Sequence, residues 1–158
     1  MIKVVAIGKI KEKANKELIH EYIKRLGSYT KLDVIEIDEV MLTKNASAAD
    51  IDLVKQKESQ SILNVIKSHE HVVLLDLKGK TMTSEQFSDY IFHQYTYGRS
   101  DLTFVIGGSY GVDQILKDRA NYLLKLSDMT FPHQLARLFI MEQIYRAYKI
   151  FNNEPYHK

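Results

Sequence analysis

Leu102-Thr103-Phe104-Val105-Ile106-Gly107-Gly108-Ser109-Tyr110-Gly111 is the stretch that decides the fold. Its first five residues are apolar or β-branched and stop at glycine, the pattern of a strand buried on both faces. Three of the chain's seven glycines fall in the turn that follows. Without a Cβ, that turn lets backbone N–H and C=O groups approach a ligand closely. It lies at the carboxyl end of a buried strand, the edge where open α/β sheets bind ligands. Gly107 and Gly108 are adjacent, which is not the spacing of a dinucleotide fingerprint, and no Gly-Lys-Ser or Gly-Lys-Thr follows to make a P-loop.

Outward from this stretch, strands and helices alternate. Ile2 to Ile7 is β-branched and stops at Gly8, a first strand. Ala14 to Leu26 carries apolar residues at 18, 19, 22, 23 and 26, a helical spacing closed by Gly27. Leu32 to Ile37 reads as a strand with one wet face, and Met41 to Ala49 as a mobile loop. A helix over about Ala49 to Ile66 leads to a buried strand His71–Asp76. Ser84 opens a helix to about Tyr97, with Gly98 past its end. After Leu102–Ile106 come a short helix near Val112–Arg119, a strand Tyr122–Leu126, and a last helix from about Pro132 to Phe151. Alternation of this kind predicts one α/β domain over residues 1–158 with a mostly parallel sheet.

Composition narrows the function. The chain has 158 residues, enough for one core, and no cysteine, which removes disulfides, thiolate metal sites and cysteine nucleophiles. No apolar run is long enough for a bilayer or a signal peptide, so a cytoplasmic location without membrane contact is expected. The net charge of +2 hides a division. Residues 1–31 carry eight basic and three acidic groups, residues 32–132 ten and fifteen, and residues 133–158 four and two. Basic ends around an acidic middle permit an anionic partner held at the ends, the alternative being a solvated lysine-rich helix face. The last helix is apolar on more than one face, through Leu135, Leu138, Phe139, Ile140, Met141, Ile144, Tyr145, Tyr148, Ile150 and Phe151. That width calls for cover on two sides, supplied either by a second copy of the chain or by a central position within the domain.

Two further strand-to-loop junctions carry chemistry, Leu74–Gly79 and Leu126–Gln134. With the glycine turn they would meet at one pocket. Gly107-Gly108-Ser109-Tyr110-Gly111 also fits the Gly-x-Ser-x-Gly nucleophile elbow, and Asp128 with His133 or His157 follows in the order of a serine hydrolase. The short chain and the crowding of Asp128 and His133 weigh against it. His69-Glu70-His71 places two imidazoles on one side of a strand. With no third ligand in view, solvent-exposed turn residues are expected there and no metal.

Taken together, these junctions resemble the RlmH family of SPOUT-superfamily methyltransferases. The likeness runs through Thr130-Phe131-Pro132-His133-Gln134, through Arg137, Glu142, Gln143 and Tyr145-Arg146-Ala147, and through the terminal Glu154-Pro155-Tyr156-His157-Lys158. Ile7-Gly8-Lys9-Ile10-Lys11 and Tyr22-Ile23-Lys24-Arg25-Leu26 extend it over the whole chain. Tyr110 stands where small or polar residues are familiar, Asn152-Asn153 falls in a variable tail position, and the acidic loop 37–49 has no counterpart in the pattern. The resemblance implies an α/β fold with a C-terminal trefoil knot and a homodimer. It also implies S-adenosyl-L-methionine as methyl donor and N3 of pseudouridine 1915 in 23S rRNA, on the assembled ribosome, as acceptor. It places Leu75, Gly107 and the run Leu126, Ser127, Asp128, Met129, Thr130 and Phe131 in the donor pocket, with Asp76, Gly79 and Gly108 as neighbours. His133 would pack or cap beside it.

The chemistry of these residues suits that reaction. Leu75, Leu126 and Met129 can enclose a flat adenine, while backbone groups of the loops read its edge. Methyl transfer from a sulfonium needs in-line positioning rather than a metal. The acceptor nitrogen must lose a proton, for which His157 is the candidate base. Arg137 is the candidate to steady charge on the base carbonyls and Tyr156 to position the nucleotide. A ribosome-binding module without catalysis is the other alternative.

Overall fold

A computed structural model describes residues 1–157. The elements run β1 (Ile2–Ile7), α1 (Lys13–Leu26), β2 (Leu32–Ile37), α2 (Ala48–Val65), β3 (His71–Lys80) and α3 (Ser84–Thr96). They continue with β4 (Leu102–Ile106), α4 (Gln114–Arg119), β5 (Tyr122–Leu124) and α5 (His133–Phe151). The strands form one five-stranded sheet in the order β2-β1-β4-β3-β5, every pair parallel. This is the expected α/β fold.

Side chains alternate across the sheet, so its central strands feed two cores. Ile2, Val4 and Ala6 of β1 join Leu102, Phe104 and Ile106 of β4 on the face shared with α5. Val5, Ile7, Val72, Leu74 and Val105 face the other way, with Ile62 of α2 and Leu116 of α4. Cover on both faces explains why β1 and β4 are wholly buried and, apart from Lys3 and Thr103, apolar.

Helices α2 and α3 start at side-chain caps. Ser47 Oγ accepts from Asp50 N at 3.2 Å while Asp50 Oδ2 accepts from Ser47 N at 2.8 Å. That box starts the helix at Ala48, one residue before the expected Ala49, and cuts short the loop expected over Met41–Ala49. Thr83 and Gln86 repeat the arrangement at α3. β3 runs four residues beyond the expected Asp76, and β5 stops at Leu124 rather than Leu126. The pairing explains both. It shifts register so that Leu75 and Lys80 both face Leu124. A Cβ on Gly79 would lie 2.5 Å from the Leu123 carbonyl oxygen, so this close approach requires glycine.

The expectation of an exposed turn at His69-Glu70-His71 holds only for His69. Glu70 and His71 are 3% and 5% exposed. Lys3 Nζ pairs with Glu70 Oε1 inside the core, and Thr103 Oγ1 donates to Glu70 Oε2 at 2.6 Å. His71 Nε2 meets the Tyr90 hydroxyl at 2.6 Å and its Nδ1 meets Arg99 at 2.9 Å. Burial works to raise the Glu70 carboxyl, but Lys3 and Thr103 outweigh it and hold the group below its ordinary value. A depressed carboxylate stabilises the fold above its unfolded pKa and loses that contribution as pH falls. Glu70→Ala leaves Lys3 charged and unpaired, so a loss of about 3–5 kcal/mol is expected by urea unfolding at neutral pH. A loss under about 1 kcal/mol would contradict the pairing.

The broad apolar surface of α5 is largely satisfied within the chain. The helix packs on α1, on α3 and on the sheet, burying Ile140, Met141, Ile144, Tyr145, Ala147 and Tyr148. Phe139 and Phe151 stay 40% and 56% exposed. The central position, rather than a second copy, therefore accounts for most of the width. No described helix is long and apolar enough to cross a membrane.

Candidate active site

The three junctions meet at the carboxyl edge of the sheet around a cavity of about 730 Å³. Leu75, Ile106, Leu124, Leu126 and Phe131 give it an apolar wall. The size and mixed lining suit a small organic ligand. The glycine loop is shaped for close approach. A Cβ on Gly107 would lie 2.5 Å from Val112 Cγ1, and Gly111 takes φ +86°, where other residues are strained. Gly111 N donates to Gly108 O at 3.1 Å and closes the turn.

Of the residues expected here, Leu75, Asp76, Gly107, Gly108, Leu126, Ser127, Met129, Thr130 and Phe131 line the cavity. Gly79 does not, being held against β5 instead. Asp128 points away and pairs with Lys125 at 2.5 Å. Val112, Lys117, His133 and Ala136 also line it. Lys117 had a local signal, because it follows the helix cap Asp113 by one turn, and it pairs with Asp76 at 3.2 Å.

A polar layer lies under the glycine loop. Glu58 of α2 is buried; its Oε1 accepts from Val40 N at 3.0 Å and its Oε2 has no partner among the described residues. Burial raises its carboxyl. Gly8 abuts Glu39 and His133, so the end of β1 and the start of α5 meet there. Arg137 is fully buried: Nη2 donates to Gly8 O at 2.7 Å and Nη1 pairs with Glu36. Burial lowers its guanidinium and Glu36 opposes that. The head group thus ties α5 to β1 and β2 and is absent from the cavity lining, unlike the charge-steadying position expected for it.

The tail is anchored along the far half of α5. The Tyr156 hydroxyl donates to Glu142 Oε1 at 3.1 Å. Its ring meets Tyr145 edge-on at 5.0 Å, with the Arg146 guanidinium 4.8 Å above it. Burial pushes the Tyr156 hydroxyl well above its ordinary pKa. His157 sits between Arg146 and Glu85. Glu154 accepts from Tyr29 at 2.8 Å and from Lys149 at 2.5 Å. Lys158 lies outside the described residues. Ala136 lines the cavity while Arg146 holds the tail. At 1.5 Å of rise per residue these positions stand about 15 Å apart along α5. An adjoining cavity that shares Leu124, Leu126, Ser127 and Phe131 runs along α5 as far as Gln143 and Ser84, and Tyr156 and His157 line neither cavity.

Ser109 is exposed and makes no hydrogen bond to a histidine or carboxylate among the described residues. It keeps a negative φ, since Asn153 is the one described non-glycine residue with positive φ. Asp128 pairs with Lys125, and His133 Nε2 lies 3.8 Å from Glu39. The hydrolase triad is not assembled.

The sheet, the glycine-loop cavity and the tail define a class. A family model described as predicted SPOUT methyltransferase matches residues 1–157, and the chain belongs to that family. Among its relatives, the Clostridium botulinum protein named ribosomal RNA large subunit methyltransferase H is 50% identical over 157 residues, 99% of each chain. The proteins of that name from Clostridium perfringens and Clostridium beijerinckii are 50% and 47% identical, over the same share of both chains.

Proposed function

We propose that the protein transfers a methyl group from S-adenosylmethionine to N3 of pseudouridine 1915 in 23S rRNA, on the assembled ribosome in the cytoplasm. The observation that carries this reading is the cavity enclosed by Leu75, the Gly107–Gly111 loop and the run from Leu126 to Phe131. Its apolar wall and glycine approach fit an adenosyl group. When bound, the donor supplies an electrophilic methyl on a sulfonium. The chain's residues then have two tasks: to align that methyl with the acceptor nitrogen, and to take the proton the nitrogen releases.

Leu75, Leu126 and Met129 enclose the adenine, and backbone groups of the loops read its edge. His157 is the base. Arg146, adjacent to it, supplies the cation beside the acceptor, because Arg137 is committed to Gly8 and Glu36. Tyr156 places the nucleotide. That Tyr156 and His157 line neither cavity of their own chain argues for a homodimer in which the tail of one copy completes the cavity of the other. Titration calorimetry with S-adenosylmethionine tests the first step: saturable binding at one site per chain is expected, and no binding overturns the reading.

The surface supplies a track for RNA. Lys9, Lys13 and Arg25 pair with Asp38, Glu17 and Glu21. Lys11, Lys16 and Lys24 are exposed and form no ion pair among the described residues. The track starts beside Gly8, which packs on the cavity residue His133. Replacing all three lysines by Glu is expected to raise the KM for ribosomes about tenfold or more. It should also flatten the salt dependence by about two units of slope while leaving donor affinity unchanged. An unchanged salt slope would remove α1 from the RNA contact.

A further inference from the structure

The tail is locked to the body by a chain of hydrogen bonds that begins and ends on neighbouring residues of α3. Ser84 Oγ donates to Gln143 Oε1 at 2.7 Å, and Gln143 Nε2 donates to Glu142 Oε2 at 2.7 Å. Glu142 Oε1 accepts from Arg146 Nε at 3.1 Å and from Nη2 at 2.7 Å. Arg146 Nη1 donates to His157 Nδ1 at 3.2 Å, and His157 Nε2 meets Glu85 Oε1 at 2.6 Å. Glu85 follows Ser84 in the sequence, so the two ends are neighbours.

These bonds fix the protonation of the ring. A guanidinium has donors only, so the nitrogen facing Arg146 carries the lone pair. The proton therefore sits on Nε2 and is donated to Glu85. That carboxylate stays ionised: its own backbone N–H, then Thr83 and His157, hold it down to about 2. The two contacts of the ring are unequal. The Glu85 contact is short and charge-assisted, whereas the Arg146 contact is long and Arg146 keeps two bonds to Glu142 without it. An incoming N–H can displace Nη1 from Nδ1 at the cost of one weak bond.

We propose that Glu85 is the positioning residue for His157: it holds the proton on Nε2 and so presents the Nδ1 lone pair to the acceptor. This rests on the methyltransferase reading given above. In the step, the acceptor N–H bond breaks and its proton passes to Nδ1. The nitrogen's electron pair forms the new N–C bond, and the S–C bond of the donor breaks with its pair going to sulfur. Glu85 then faces an imidazolium and steadies it, as the carboxylate of a catalytic triad does.

The test compares Glu85→Ala and Glu85→Gln in the full-length dimer on ribosomes lacking the methyl group, with ¹⁵N NMR of His157 beside the kinetics. Glu85→Ala is expected to lower kcat about 10- to 100-fold, leave the donor Kd and ribosome KM within about twofold, and blur the single-tautomer pattern of His157. Glu85→Gln, whose amide oxygen still accepts from Nε2, should keep the tautomer and recover most of kcat. In a His157→Ala background, Glu85→Ala should cause no further loss. Wild-type turnover by Glu85→Ala, a loss that persists in the His157→Ala background, or an unchanged tautomer pattern would each overturn the proposal. A wild-type chain that methylates nothing overturns the functional reading itself, and this control separates that failure from a failure of Glu85.

Discussion

Gly107→Arg is expected to abolish measurable S-adenosylmethionine binding, and with it all methyl transfer. A Cβ at this position lies 2.5 Å from Val112 Cγ1, a branched atom near the backbone that cannot swing aside as a long side chain would. Gly107 lines the cavity, so an arginine there brings a long cationic side chain to a site whose wall is largely apolar. The fold should survive, because Gly107 follows the end of β4 and the cavity opens to solvent. Far-UV circular dichroism should match wild type, and calorimetry should show no heat of binding. Binding within about tenfold of wild type would place the donor elsewhere.

Removing residues 156–158 is expected to stop turnover at the other half of the site. The deletion takes away the candidate base and the tyrosine held between Tyr145 and Arg146. A positioned base contributes about 10²–10⁴-fold, so kcat should fall at least 10²-fold while donor binding persists. Loss of the Tyr156 ring should lower the melting temperature by only a few degrees. If the tail serves a partner's cavity, mixing this variant with Gly107→Arg should restore turnover. One subunit then contributes an intact cavity and the other an intact tail. Two inactive variants that stay inactive when mixed would confine the site to one chain. Undiminished kcat in the truncated protein would retire His157 as the base.

The legibility of the fold depended on where each signal is stored. β4 and the turn after it were readable because a run of apolar or β-branched residues and clustered glycine are local facts. The caps at Ser47 and Thr83 were equally local. The extension of β3 through Lys78, Gly79 and Lys80 was not, because those residues disfavour strands and only pairing with β5 keeps them extended. Glu70 and His71 look like a polar turn until Lys3, Thr103, Tyr90 and Arg99 arrive from elsewhere in the chain.

The candidate site divided along the same line. Its lining came from contiguous loops, so most of it could be read in order. Gly79 and Asp128 were drawn in by their loops, although one serves sheet pairing and the other faces solvent. Arg137 lies outside the cavity lining for a different reason. An arginine on an apolar helix reads as functional, while the carbonyl of Gly8 and the carboxylate of Glu36 that occupy it are more than a hundred residues away. Glu85 gave no signal beyond a helix first turn, because its partner His157 lies 72 positions further on. A trefoil threading leaves no mark in local propensity, so only the family resemblance raised it.

The most direct measurement of the central claim is mass spectrometry of 23S rRNA after incubation of unmethylated ribosomes with the protein and isotope-labelled S-adenosylmethionine. One labelled methyl on N3 of pseudouridine 1915, absent with the Gly107→Arg variant, is the predicted result. Rapid donor binding with no labelled rRNA, or label at any other nucleotide, would contradict it.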